Sequence, residues 1–304
     1  MSEPHDHHHH HHHDPAPYPP LRKRMPGPAF KRPEQYAEGL QRMLARAKES
    51  LAEEFLGITT DGLVRPGLFP VQKTGVTLRP AYEAARTFLA MLDHDQKHKA
   101  IFHVHSNEWR TWSNVHPYLM RHGVGLYELA PAQRDAALAL VSSALSASGF
   151  ESAKNVMKLN EHAAELTGLG EEYGEWYYWL SIFGNPSQDE PWGWQFDGHH
   201  LIINCLMLGD QMVLTPMFMG SEPVLARSGK YAGTEVFRTE ESQGLAVMRA
   251  LAPAQRAKAT ISTALPTEVL TAAFRDNTPL GYEGIRYDEL SAGQQSHLID
   301  LIGV

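Results

Sequence analysis

Cysteine is almost absent from this chain. Cys205 is the only one in 304 residues, so no disulfide can form within the chain and a thiolate-rich metal site is excluded. Long apolar runs are missing too. Nothing reaches the roughly 20 residues that a bilayer-crossing helix takes, and the N-terminus lacks the apolar core of a secretory signal. The expectation is a cytoplasmic protein with no membrane partner. Positive charge is scarce, with 27 Lys and Arg against 35 Asp and Glu for a formal charge of −8. The one short basic cluster, Leu21 to Arg24, reads as a solvated linker, so a nucleic-acid partner is not expected. There is no phosphate-cradling Gly-rich loop with Lys, no Gly-x-Gly-x-x-Gly after a strand, and no Gly-x-Ser-x-Gly elbow, which argues against nucleotide binding and serine hydrolysis.

What is present begins with a polar stretch, residues 1–32, dense in Pro and His and predicted to be a disordered arm. Its run His7 to His13, with His5, either collects Ni, Cu or Zn ions through adjacent imidazoles or is a purification tag. From Pro33 to Phe55, Tyr36, Leu40, Met43, Leu44, Ala47 and Leu51 recur at helical spacing. Residues 57–80, interrupted by Gly57, Gly62, Gly67 and Gly75, predict short strands and turns, and residues 80–92 return to helical spacing.

Four segments share one design: Leu92 to Gln96, Leu129 to Gln133, Leu251 to Gln255 and Leu290 to Gln294. Each places an apolar residue before a cap position, then Gln at the third helical position, from which its side chain can reach back to the cap amide. Capping chemistry explains the similarity, and the irregular spacing argues against a solenoid. The fourth start lies close to Val304, so the domain is expected to be incomplete at its C-terminus.

The segment from Glu175 to Phe183 is rich in aromatic and branched residues and reads as a buried strand, with Trp176 and Trp179 as core. Leu201 to Leu208 and Gln211 to Met219 flank Gly209-Asp210, a hairpin signal. That ladder sets Asn204 opposite Thr215 and His200 opposite Met219, and puts His200 and Asn204 on one face with His199 on the other. The predicted architecture is α+β, one domain over residues 33–304, with helices packed on a predominantly antiparallel sheet whose central hairpin spans about 199–219.

Within this frame His200, His199 and Asp197 are the candidate catalytic residues, the histidines as metal ligand or proton-transfer group and Asp197 as orienter or base. Trp192, Trp194 and Asn204 are candidates for walling a ligand or cofactor pocket. His103 and His105, alternate residues on a predicted strand near Glu108, join His200 as candidate ligands for a divalent transition metal. Completed hydrogen bonds within a polar sheet layer are the competing explanation for all four imidazoles. Arg110, Arg121 and Glu222 could hold an anionic group, although exposed ion pairs explain them equally well. A cupin-like reading of His103, His105 and Glu108 with His200 and Asn204 is a minor alternative, disfavoured because the Glu comes too early, Pro191-x-Gly193 lies too far from His200 and the helical content is high.

Trp192 to Leu201, followed by Thr215 to Pro223, with Glu108 to Asn114 and Asp288 to Gln294, resembles the family called domain of unknown function 3500, from about Pro33 to the end. Members of that family continue into a further histidine-bearing region, so the resemblance implies a shortened chain. It implies no reaction. The expected function is that of an enzyme acting on a small molecule by histidine-based metal-assisted or acid/base chemistry, hydrolytic or oxidative. The alternative is a non-catalytic small-ligand-binding or scaffold protein with a metal-collecting arm.

Overall fold

The computed structural model describes residues 17–116 and 118–304. The first helix, α1 (Glu38–Ala52), turns Leu44 and Ala47 into a small core with Tyr36, Leu119 and Phe274. In α2 (Arg79–Met91), Pro80 sits in the first turn, and Ala81, Ala85 and Phe88, spaced by four and three, share the buried face. Between these helices the predicted short strands do not form. Residues 53–78 make one isolated bridge, Thr59 to Pro279, and hang on side chains instead, such as the Asp210 carboxylate that accepts from the Thr74 and Gly75 amides. Four glycines at positive φ break any ladder there.

Next come α3 (His94–Ala100) and β1 (Ile101–Phe102), then β2 (Val124–Gly125), α4 (Pro131–Ser142) and α5 (Ala147–Thr167). The sheet is completed by β3 (Tyr178–Phe183), β4 (Trp192–Gly198), β5 (Leu201–Leu208), β6 (Gln211–Val213) and β7 (Met217–Met219). Its order is β1-β3-β4-β5-β6, with β2 also on β3 and β7 also on β5. Only the β1–β3 pair is parallel. The fold is therefore α+β with a mainly antiparallel sheet.

Alternation divides the sheet into two faces. Tyr178, Leu180, Ile182, Trp192, Trp194, Phe196, Leu201, Ile203, Cys205 and Met207 join the main core with α2, α4 and α5, and burying each large side chain is worth about 1.5–3 kcal/mol. Trp192 and Trp194 are thus buried in the main core. The opposite face carries Gln195, Asp197 and Asn204, all buried.

Two sequence expectations about the hairpin are corrected. Leu208 does face Gln211 across Gly209-Asp210, but beyond Val213 the register slips by one residue, so Met219 pairs with Leu201 and not with His200. In addition, His199 and His200 lie in no strand. They are the two-residue turn between β4 and β5, with Gly198 paired to Leu201.

The arm also differs from expectation. Residues 1–16, with the histidine run, lie outside the described residues, but residues 17–32 form an extended strap fixed along α5 and the loop after it. Arg22, Met25 and Ala29 donate backbone hydrogen bonds to Glu165, Gly168 and Glu171 carbonyls. Arg24 pairs with Glu161 at 2.5 Å, so the basic run is anchored and is no free linker. Phe30 packs edge-on or tilted against Tyr118, Tyr127, Tyr177 and Trp179.

After the sheet the chain forms α6 (Arg238–Ala250), α7 (Pro253–Ala259) and α8 (Ala292–Ile302). The four capping segments start α3, α4, α7 and α8, and in each the Gln side chain accepts from the cap amide. They also pair, which spacing alone did not reveal. Gln133 donates to Gln96 and to the Met91 carbonyl, and Gln294 donates to Gln255 and to the Ala250 carbonyl.

Candidate metal centre

The β4–β5 turn is shaped by its neighbours. A Cβ on Gly198 would come within 2.1 Å of the Tyr178 ring, so only glycine lets the strand lie against that ring. The Tyr178 hydroxyl then donates to the His199 carbonyl at 3.1 Å. His200 occupies the left-handed region at φ 57, sparsely populated by non-glycine residues and a mark of sites where structure is imposed. Its amide donates to the Asn114 carbonyl at 3.0 Å, and its carbonyl accepts from the Gly220 amide at 2.8 Å.

The turn sets the two imidazoles 4.2 Å apart, centroid to centroid. Glu222, on the loop after β7, approaches His200 Nε2 at 3.2 Å. One ligand-capable atom from each of His199, His200 and Glu222 lies within 4.8 Å of the other two. Two imidazoles and one carboxylate form a donor set that suits Zn or non-haem Fe with open positions.

The tautomer of His199 follows from its partner. Asn160, on α5, donates through Nδ2 to the Gly174 carbonyl at 2.8 Å, which turns its Oδ1 toward His199 Nδ1 at 2.9 Å. An amide oxygen only accepts, so Nδ1 carries the proton and Nε2 keeps its lone pair. A hydrogen bond of this kind behind a ligand fixes ring orientation at metal sites. Burial pushes the His199 pKa down to about 2, with His200 and His116 adding to the shift. The imidazole is neutral, as a metal ligand must be.

Around the turn is a belt of buried polar groups. His116 stacks on Tyr173 at 4.2 Å and lies 5.7 Å from His199, and burial lowers its pKa to about 4. Its Nε2 is 3.2 Å from Glu172 Oε2, without the alignment of a hydrogen bond. Among the described residues, His116 Nε2, His200 Nδ1, Ser113 Oγ, Asn114 Oδ1 and Tyr118 Oη are all buried without a hydrogen-bond partner. Buried polar groups are rarely left so. The orphaned His200 nitrogen in particular fits a ring whose remaining bond is made to an ion.

Other predicted residues fall elsewhere. Asp197 is buried on the opposite sheet face, where its carboxylate accepts from the Ser113 amide at 3.4 Å; it makes no contact orienting His199, and burial raises its pKa well above the carboxylate range. Asn204 is held by Gln195 and the Pro216 carbonyl, away from His200, so the expected pairing of those two does not occur. It lines instead a mostly apolar cavity of about 570 Å³ with Phe55, Trp109, Trp112, Leu206 and Pro216.

His103 and His105 follow β1 on an exposed turn, and the His105 amide donates to His103 Nδ1. They lie beyond the Phe183 end of β3, while His199 lies beyond the Tyr178 end. Five steps of ~3.4 Å separate those ends by about 17 Å. One ion cannot be shared between His200 and that pair. Arg110 makes a bidentate pair with Asp276 and Arg121 covers Phe30, so neither reaches the centre. Asn160 was missed because nothing in a helical sequence marks one Asn as facing a turn 39 residues away. Glu222 carried a signal, its place in the Thr215 to Pro223 block.

The family profile described as Protein of unknown function (DUF3500) matches residues 74–304. The chain belongs to the DUF3500 family. The match starts well after Pro33, where the sequence resemblance was drawn, so α1 and the strap lie outside it, while every member of the His199, His200 and Glu222 group lies inside. No curated protein and no solved structure matches the chain. Among the described residues, no helix is long and apolar enough to cross a membrane.

Proposed function

We propose that this DUF3500 protein is an enzyme that acts on a small molecule at a divalent transition-metal centre held by His199, His200 and Glu222. One observation carries this: two imidazoles and a carboxylate converge at the β4–β5 turn, with His199 kept neutral and aimed by Asn160. A bound ion supplies Lewis acidity and lowers the pKa of a coordinated water. The residues supply the rest. His199 is a rigid donor, His200 is held by its backbone bonds to Asn114 and Gly220, and Glu222, largely exposed, is free to swing onto the ion or accept a proton. Hydrolysis and oxidation both remain compatible with such donors. The proposal includes a reducing, cytoplasmic setting, supported by the lone buried thiol, and no nucleic-acid partner.

The test uses protein lacking residues 1–14, so that the histidine run contributes nothing. After loading with Zn and dialysis, one ion per chain is expected, lost in His199→Ala and in His200→Ala with the circular dichroism unchanged. An ion that survives both substitutions, or none in the parent protein, would overturn the proposal. The apolar cavity beside Asn204 favours a second proposal, a non-catalytic binder of small apolar ligands. It gains ground if the metal test fails while such ligands quench Trp109 and Trp112 fluorescence.

A further inference from the structure

Two cavities lie in line along the outer face of β5, on the side of the sheet away from the main core. The larger, of about 570 Å³, is the apolar one beside Asn204, with Leu206 and Leu208 further along the strand. The smaller, of about 170 Å³, is lined by Ile202, which is fully buried yet stands outside the main core cluster. These four residues alternate along β5 and so share one face. Trp112 and Pro216 line both cavities, which therefore adjoin at those two side chains. One segment walls both as well, with Val269 and Ala272 at the smaller cavity and Asp276 at the larger. It is fixed from outside by the Arg110–Asp276 pair, at 2.6 and 3.2 Å, and by Asn277, which accepts from the Leu56 amide and donates to the Glu54 carbonyl.

The smaller cavity adjoins His200. Two of its lining residues, Asn114 and Phe218, touch that histidine: the Phe218 ring stacks at 6.1 Å from the imidazole, centroid to centroid, and the Asn114 carbonyl accepts from the His200 amide at 3.0 Å. The Asn114 side chain is only 8% exposed, and among the described residues its Oδ1 has no hydrogen-bond partner. A buried amide oxygen in a cavity wall calls for an N–H or O–H from a ligand. From the β4–β5 turn to Asn204 is about 14 Å along the strand, and to Leu208 about 27 Å.

We infer that the two cavities form one channel ending at the His199, His200 and Glu222 cluster, and that its substrate is a small amide carrying an apolar chain of medium length. The inference rests on the reading of that cluster as a metal centre and names the class of molecule it serves. The amide carbonyl is the group offered to the ion, and the amide N–H donates to Asn114 Oδ1. The chain runs past Trp112 and Pro216 onto Leu206 and Leu208. A mostly apolar wall with a few placed polar groups is the usual composition of a small-ligand site. The cation at the far end, Arg110, is already neutralised by Asp276 in a two-bonded pair, so the tail that fits is uncharged.

The experiment uses the full chain with His5 and His7 to His13 replaced by Ser, loaded with Zn and dialysed, and two probes that share an amide-type, metal-binding head, acetohydroxamate and decanohydroxamate. Affinities are read by calorimetry. Decanohydroxamate is expected to bind about tenfold tighter or more, because only its chain buries apolar surface in the channel. Leu206→Trp, which fills the larger cavity, should remove about tenfold of that affinity and leave acetohydroxamate binding and the single ion as in the parent. Val213→Trp, at a wall position 41% exposed, repeats the comparison without altering the buried part of the strand. Removing the ion should weaken decanohydroxamate about tenfold as well. N-methylation of the probe should weaken it in the parent but not in Asn114→Leu. Equal affinities of the two probes on Zn-loaded protein, no effect of either Trp substitution, or an N-methyl effect that persists in Asn114→Leu would overturn the inference and leave the metal centre standing. Decanohydroxamate bound as tightly without the ion would part the cavities from the centre and overturn it too. A chain that holds no ion would overturn the metal reading, and the channel's end with it.

Discussion

Replacing Asn160 by Leu, close in size and without polar atoms, separates the support of His199 from its packing. The native amide makes two buried hydrogen bonds, one to the Gly174 carbonyl and one from His199 Nδ1–H. Losing both leaves two buried groups unpaired, at about 1–3 kcal/mol each, so a stability loss of about 2–6 kcal/mol is expected in urea unfolding. The imidazole also becomes free to rotate and to move its proton to Nε2. Loss of such a support typically weakens metal binding by about 10–100-fold, to be measured by Zn titration calorimetry on protein lacking residues 1–14. Asn160→Asp keeps the acceptor for His199 but not the donor to Gly174. It should lose stability while holding the ion more nearly as the parent does. Unchanged Zn affinity in Asn160→Leu, with the stability loss present, would refute the argument that Asn160 aims the ligand.

Stability should fall in mild acid. His199 and His116, with pKa values pushed from 6.5 down to about 2 and about 4, stay neutral in the fold while the unfolded chain takes up protons below about pH 6.5. Asp197 opposes them, since its raised pKa keeps a proton in the fold that the unfolded chain releases. His122, whose pKa burial also lowers, adds to the two imidazoles, so the three outweigh the one carboxyl and stability falls as pH drops from about 6.5 toward 4, read from urea midpoints across that range; a flat profile would contradict the buried neutral imidazoles. Gln133→Leu and Gln294→Leu should each cost about 1–2 kcal/mol in thermal unfolding, because each removes one side of a part-buried reciprocal amide clamp. No loss in either variant would contradict the part these clamps play in holding α3 to α4 and α7 to α8. Cys205 is fully buried and its pKa is pushed up to about 12, so native protein should resist thiol reagents at pH 8 and react fully in urea; prompt labelling would contradict that burial.

The features most legible in the sequence were local ones. Gln at the third helical position after a cap marked all four helix starts, and Gly209-Asp210 marked its hairpin, because each depends on a few neighbouring residues. What failed was alternation carried through His199 and His200. The sequence holds an unbroken run from Trp192 to Leu208, and nothing local shows that Gly198 must yield to the Tyr178 ring and end the strand there. The turn then brings together the two imidazoles that a continuous strand would have parted. That Trp192 and Trp194 lie on the core face was hidden for the same reason, since which face is core depends on where α2, α4 and α5 pack. His103 and His105 form a spacing motif without a site, because β1 ends at Phe102. The pairing of the four capping segments became visible only when Gln96 met Gln133 and Gln255 met Gln294.

The central claim is that one ion sits at the β4–β5 turn. Anomalous diffraction at the Zn edge, on crystals of the Zn-loaded protein lacking residues 1–14, tests it directly. The account expects a single peak about 2.0–2.2 Å from an imidazole nitrogen of each of His199 and His200 and from a Glu222 carboxylate oxygen. A peak beside His103 and His105, or no ordered ion in a well-diffracting crystal, would contradict it.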